Sequence, residues 1–385
     1  MPTYTQAIVS TGNRNSTETI PEVESKLYRL EPESYPFTAV LTMAKKRVRR
    51  LQTDVEFKTL EQRPEGRETQ VNNGAGYSTS ATSVVVDDGG IFEIFDTIRV
   101  NRTGEIMLVT AKSTNTLTVT RAIAGTRTAM VDNDYLTRMA TAYAQGAAKQ
   151  TPNVRQSDTV TNYPQITRTP FGVTGTQKAL RTYTGNPLTD MRINKAIEHN
   201  KSKEMALLFG KKAQGSGATP RYLTQGIINT LSTNTYAAPG GVLTEAAFEE
   251  NLLEGVSRYG SPTKLFFCSA RICSVLDGWA RSRGRLKEAG EESAALGFKV
   301  QKFISSHITL LVKKHYLLEG DTWSGYGLII DPDAVRYAMV PGRDMWHRKD
   351  IQTPGDDAFE EEFLSEYGLD IILEETHGLL TGVTS

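Results

Sequence analysis

Cysteine is nearly absent from this chain: Cys268 and Cys273 are the only two among 385 residues. Two thiols cannot staple a fold of this size, so a secreted disulfide framework is excluded and reduced packing residues are expected. The pair also lacks the second Cys or His pair that a zinc site needs. No apolar run approaches the roughly 20 residues of a membrane span. The Met1–Ser16 stretch has no basic segment followed by an apolar core, so it does not read as a secretory signal. No phosphate-binding loop is present. GSGATPR and GTRTAM contain glycines but lack the Gly-Lys-Ser/Thr ending, and they read as linkers. His199, His307, His315, His347 and His377 stand at no metal-ligand spacing. No cofactor and no metal are expected.

Net charge is lacking too, with 44 basic and 44 acidic residues, but the balance is uneven along the chain. Residues 146–230 carry 12 basic and 4 acidic side chains, whereas residues 231–385 carry 15 and 23. The basic middle and the acidic C-terminal part can meet within or between chains, and the basic part can face a polyanion. With 38% hydrophobic and 23% charged residues the composition is that of an ordinary soluble protein with core enough for two or three domains.

Residues 1–33 are polar, without a clear period, and read as an extended arm. SYPFTAVLTMA (34–44) predicts a short helix with Phe37, Val40, Leu41 and Ala44 on one face. The run Lys45, Lys46, Arg47, Arg49, Arg50 follows. It suits a nucleic-acid tether or a clamp on another chain's acids equally well. DVEFKTLE (54–61) alternates as a half-exposed strand and is expected to pair with NYPQITRTPFGVTGTQKA (162–179) in a long ribbon.

Between them, residues 75–145 read as an insertion. TSVVVDD, DTIRV, EIMLVT and TLTVTR are short β-rich runs separated by turns at Gly89-Gly90, Thr103-Gly104 and Thr114-Asn115, a pattern for a small barrel or sandwich. The strongest helix spans 187–209. Asn186 caps it, Pro187 starts it, Asp190 suits its positive end and Gly210 ends it. Ile193, Ile197, Met205 and Leu208 are its expected apolar stripe, narrow enough for a helix lying across a surface. From 244 the pattern is compact α/β. Thr244 caps a helix with Phe248, Leu252 and Val256 on one side, ended by Gly260. KLFFC (264–268) is a buried-type strand, and Ser269 caps a helix with Ile272, Val275, Leu276 and Trp279. RSRGRLKEAGEES (281–293) is a charged loop. Strands follow at 298–303, 308–313, 326–330 and 334–339, and a terminal strand carries Leu369, Ile371 and Leu373. Asp356-Asp357 and Glu360-Glu361-Glu362 are expected to form a solvated or interface face.

The order of these parts resembles the major capsid proteins of tailed bacteriophages with the HK97-like fold, in the subfamily with a small β domain in the extended loop. The resemblance rests on DTIRVNRTGEIMLVT with TLTVTRAIAGT, on RYLTQGIIN, on PTKLFFCSARICSVL and on EEEFLSEYGLDIILEETHGLLTG, taken in order along nearly the whole chain. It implies an α+β fold in five parts. Residues 1–50 would be the arm and short helix. Residues 51–74 and 146–179 would form the extended loop, and 75–145 a small β-barrel insertion. Residues 180–230 and 340–385 would form a peripheral domain with a spine helix, and 231–339 an axial domain. It also implies a non-enzymatic subunit that builds pentamers and hexamers of an icosahedral shell around double-stranded DNA. Portal and decoration or scaffold proteins would be its partners, with assembly in the bacterial cytoplasm. The arm is too short for a fused scaffold, and no cross-linking pair can be placed.

Under this resemblance Lys195, Lys201, Lys203, Lys211 and Lys212 give the spine helix a basic, DNA-facing side, without base specificity. Lys45, Lys46, Arg47, Arg49 and Arg50, with Arg281, Arg283 and Arg285 near the capsomer axis, are the intersubunit candidates. Two other classes compete. A tail-tube or decoration protein would account for the β insertion but not for the long helix and α/β part. A hydrolase would require a pocket gathering His307 or His347 with carboxylates.

Overall fold

The computed structural model describes residues 35–43, 48–147, 156–180, 182, 185–283, 286–288 and 301–384. The arm, Lys45, Lys46, Arg47, Arg285 and most of the 281–293 loop lie outside the described residues. The chain divides into two compact units, one comprising Met1–Thr59 with Thr159–Ser385, the other Leu60–Asp158.

The first unit is built on two sheets. The larger has seven strands, in the order Thr235–Ala237, Gly378–Thr381, Gly327–Ile330, Thr263–Cys268, Thr309–Lys314, Gln301–Ile304 and Leu286–Glu288. Its central strand Thr263–Cys268 runs parallel to Thr309–Lys314 and antiparallel to Gly327–Ile330. The continuous apolar run in KLFFC has a direct cause, because this strand is buried on both faces. Leu265 and Phe267 join one core with Phe37, Leu207, Leu208 and Tyr337, while Phe266 and Cys268 join another with Phe248, Leu252, Ile272 and Leu276.

The helix expected from Thr244 forms as Glu245–Phe248 and Glu254–Ser257 joined by a π turn at Glu249–Leu253. Phe248, Leu252 and Val256 are all fully buried on it. Gly260 follows at φ +83°, where a Cβ would lie 2.2 Å from an Asp331 carboxylate oxygen, so no larger residue fits.

The second sheet of this unit has the order Val48–Arg50, Val335–Met339, Ala358–Ile371 and Gln165–Thr174, with Trp346–Arg348 also paired to Ala358–Ile371. This changes the expected ribbon. Gln165–Thr174 pairs with Ala358–Ile371 over ten residues, from Gln165 opposite Tyr367 to Thr174 opposite Ala358. Phe57–Glu61 pairs instead with Asp158–Asn162. Pro164 separates two segments that alternation alone runs together, since it has no N–H to donate to a ladder. Asn162 fixes the break: its side-chain amide donates to Leu369 O at 2.7 Å, and its carbonyl accepts from Gln225 N–H at 2.9 Å.

The second unit is a closed six-stranded barrel. The strand order is Glu68–Gln70, Tyr135–Thr141, Asp96–Val100, Ile106–Ser113, Thr116–Ala124, Ser83–Val85. The two ends of that order meet at an antiparallel bridge between Val71 and Val86, with Asn72 N–H on Val85 O and Asp87 N–H on Gln70 O, each at 3.0 Å. Among the described residues, closure leaves this sheet no open edge. The unit reaches beyond the 75–145 stretch marked by turn spacing, because Glu68–Gln70 pairs with Tyr135–Thr141. Val84, Ile98, Val100, Met107, Leu117 and Leu136 fill the interior at zero exposure. Thr114-Asn115 makes the tight hairpin between two strands, with Thr114 at φ +48°. Arg121 and Glu105 form a fully buried pair with contacts of 2.7 and 2.6 Å. Arg121 also donates to Thr128 O, Ser78 O and Ala81 O, and Glu105 accepts from Thr128 N–H and Ala122 N–H. Full satisfaction is what makes a charge pair tolerable in a dry barrel.

Candidate functional site

The long helix, Pro187–Phe209, begins as its sequence dictates. The Asn186 side chain accepts from Leu188 N–H at 3.0 Å, and Pro187 occupies the first turn, where a missing N–H costs nothing. Its buried face keeps Leu208 of the expected stripe, has Ile197 half-buried, and otherwise differs. Ile193 and Met205 are 42% and 46% exposed, whereas Leu188, His199, Lys203, Glu204, Leu207 and Leu208 are buried. Residues 199, 203 and 207 lie one turn apart on one line of the helix. Leu207 joins the apolar core, but His199 and Lys203 meet polar groups, so a search for apolar periodicity misses that line.

Each polar side chain on this face has a specific partner. Arg192 grips Glu361 with two parallel bonds, at 2.6 and 2.5 Å, and His347 Nε2 reaches the same carboxylate at 2.8 Å. His347 lies flat against Phe363, with ring centroids 5.0 Å apart. His199 is fully buried and hydrogen-bonded on both ring nitrogens, to Thr169 Oγ1 at 2.9 Å and Ser365 Oγ at 2.8 Å. Burial first, and then the charge of Lys203, pushes its pKa down to about 4, so the ring is neutral at pH 7.

Lys203 binds Asp344 at 2.7 Å and sits over the rings of Tyr337 and Tyr367 at 5.3 and 5.5 Å. Burial raises the pKa of both phenols, that of Tyr367 to about 12. Glu204 ends the series. Its carboxylate accepts from Phe37 N–H and Thr38 N–H, both at 2.9 Å, and so caps the Pro36–Met43 helix from outside. It also accepts from His315 Nε2 at 2.8 Å. The Leu317 N–H donates to His315 Nδ1 at 3.2 Å, which leaves Nε2 as the protonated nitrogen that donates to Glu204.

The expected acidic face is thereby divided: Asp356, Asp357 and Glu360 are exposed, and the next two glutamates are not. Glu361 and Glu362 were expected on a solvated or interface face, yet they are 5% and 1% exposed. Glu362 is held by Arg168 at 2.6 Å and Arg348 at 2.7 Å. Cationic side chains from neighbouring elements replace water around Glu361 and Glu362, which no linear pattern records. The hydrogen bonds from Arg192, above all, hold the pKa of Glu361 down, to about 2. A lowered carboxylate pKa contributes stability that is present above the ordinary value of 4.5 and lost as pH falls toward 2. Glu361→Gln is therefore expected to lower the urea midpoint at pH 7 and to flatten its decline between those values. Parallel declines for wild type and variant would refute this assignment.

The candidate lysines fall into different places. Lys203 departs from the expectation: 4% exposed and tied to Asp344, it is no part of a DNA-facing surface. Lys195 is partly exposed and pairs with Glu198 at 2.6 Å. Lys201 is partly buried, Lys211 exposed, and Lys212 donates to Thr161 O at 2.9 Å and to the Thr161 hydroxyl. Among the arginines, Arg49 is engaged within the chain, on Asp370 at 2.9 Å, Thr59 Oγ1 at 2.7 Å and Lys58 O at 2.7 Å. Arg50 is exposed on the Val48–Arg50 strand, and Arg281 and Arg283 belong to the last turn of the Ala270–Arg283 helix. Among the described residues, no three His, Cys, Asp or Glu side chains group as metal ligands would. No described helix is long and apolar enough to cross a membrane.

The family model of the SU10 major capsid protein matches residues 3–384. A curated relative, the major capsid protein of Pseudomonas phage PaMx41, is 25% identical over 255 residues, 63% of this chain. The chain spans 60% of that relative's length. Among solved structures, the cyanophage A-1(L) capsid asymmetric unit superposes with a TM-score of 0.51 at 9% identity, covering 96% of this chain and 99% of that one. The capsid of a native GTA particle gives a TM-score of 0.50 at 11% identity, covering 98% of this chain and all of that one. These likenesses place the fold as α+β of the HK97-like capsid type. The family is one of structural capsid proteins and not of enzymes. The chain belongs to the SU10 major capsid protein family.

Proposed function

We propose that this chain is the shell-building subunit of a tailed phage, assembling into pentamers and hexamers of an icosahedral shell around double-stranded DNA. The observation that carries this reading is the family match along 3–384 together with an HK97-like fold over the same length. Residues 231–339 would act as the axial domain, and residues 180–230 with 340–385 as the peripheral one. The arm and short helix (1–50), and the extended loop (51–74 and 146–179) with its 75–145 insertion, would reach neighbouring copies. Portal and decoration or scaffold proteins would complete the particle, and assembly would take place in the host cytoplasm. The test is negative-stain electron microscopy of the sedimenting fraction after expression of the full chain. Closed round shells are expected, and tubes or isolated small oligomers overturn the reading.

Lys195, Lys201, Lys211 and Lys212 remain the proposed DNA-facing cations, and Arg50, Arg281 and Arg283 the described intersubunit ones. Lys45, Lys46, Arg47 and Arg285 stay with the latter group by sequence. Replacing Lys195, Lys201 and Lys211 with glutamine is expected to reduce the salt slope of DNA binding by about 0.9 for each phosphate left without its cation, equally for all sequences. An unchanged slope would remove these lysines from the DNA-facing surface.

A further inference from the structure

The assembly reading leaves the two thiols unused. Cys268 closes the Thr263–Cys268 strand and is fully buried, and Cys273 is the fourth residue of the Ala270–Arg283 helix and partly exposed. Their sulfur atoms stand 2.7 Å apart. A disulfide bond is about 2.05 Å long, so closure requires a relative movement of only about 0.65 Å. We propose that Cys268 and Cys273 form a redox pair that closes to an intrachain disulfide when the chain meets a small-molecule disulfide such as oxidised glutathione.

The two thiols have different chemistry. The hydrogen bond from Cys268 lowers the pKa of Cys273, assisted by the charge of Lys314 and opposed by burial and by Asp277. Burial raises that of Cys268. Cys273, the partly exposed residue of the two, is thus also the one whose thiol ionises more easily, and the thiolate is the nucleophile. It attacks one sulfur of glutathione disulfide, forming a mixed disulfide and releasing one glutathione thiolate, which takes up the Cys273 proton. Cys268 then loses its proton, attacks the Cys273 sulfur and displaces the second glutathione, which takes up that proton. Two electrons leave the protein thiols, and one disulfide is reduced to two thiols. A reducing compartment keeps the pair open and an oxidising one closes it. The bond would tie the end of the sheet's central strand to the helix packed on it, both within one core. The proposal concerns bonds within one chain and stands apart from the assembly reading.

The test uses the full chain, treated with glutathione disulfide, alkylated without reduction and digested with trypsin. Cleavage after Lys264, Arg271 and Arg281 puts the cysteines on separate peptides, 265–271 and 272–281. The expected result is a joined 265–271/272–281 species, loss of both alkylatable thiols, and a whole-chain mass lower by two hydrogens. Reduction with dithiothreitol should restore both thiols. Cys273→Ser should retain an alkylatable Cys268 and give no joined peptides. Alkylation of both peptides in the treated wild type, a glutathione adduct persisting on Cys273, or a 272–281 peptide joined to its own copy would each overturn the proposal.

Discussion

Replacing Glu204 with alanine is expected to destabilise the chain by about 3–5 kcal/mol, the summed cost of leaving several buried donors without their charged acceptor. The carboxylate binds two backbone N–H groups of the Pro36–Met43 helix, the Thr38 hydroxyl and His315 Nε2, with no exposure of its own. Its removal strands the His315 N–H in the core and uncaps the helix that carries Phe37, Val40 and Leu41, each at most 2% exposed. Urea unfolding gives the total loss. Hydrogen exchange locates it, with protection expected to fall first across Pro36–Met43. Glu204→Gln keeps an acceptor but not the charge, and should lose roughly half as much, since hydrogen bonds to charged groups are worth about 1.5–3 kcal/mol against about 1 for neutral ones. A loss below about 1 kcal/mol for the alanine variant would mean that water replaces the carboxylate, contrary to the burial described.

Arg121→Met is expected to cost a similar 3–5 kcal/mol, confined to the barrel, because it leaves the Glu105 carboxylate charged and fully buried. The double change Arg121→Met with Glu105→Leu should recover most of that loss, since well-packed apolar groups often replace a buried ion pair at little cost. Hydrogen exchange in the full chain separates this effect from the rest of the molecule, which a single unfolding midpoint would not. Protection should fall in Ile106–Ser113 and Thr116–Ala124 for the single variant and return in the double one. Equal losses in both variants would show that the pair acts by packing and not by mutual compensation of charge.

The sequence announces most elements, because local chemistry decides them. Asn186 with Pro187 marks the start of the long helix, the Phe248/Leu252/Val256 spacing marks a buried helical face, and KLFFC marks a strand covered on both sides. What stays hidden depends on partners far along the chain. Glu204 reads as a surface charge on a helix until Phe37 and His315 are brought to it. Glu361 and Glu362 read as a solvated run until Arg192, Arg168 and Arg348 close on them. The ribbon is misjudged for a related reason: alternation announces a strand but not which strand it pairs with. The one local sign of the break is Pro164, which ends a ladder. The same blindness misplaces Lys203, whose spacing fits a basic surface and whose environment is two tyrosine rings and Asp344.

The central claim is that this chain closes into a shell with residues 231–339 around its symmetry axes and the long helix in its wall. The most direct test is a cryo-electron microscopy reconstruction of particles formed by the full chain. The account predicts a closed icosahedral shell with rings of five copies meeting through residues 231–339, and the lysine-bearing side of Pro187–Phe209 turned toward the interior. A closed shell with the Leu60–Asp158 barrel around the axes, or an open tube of stacked rings, would contradict it.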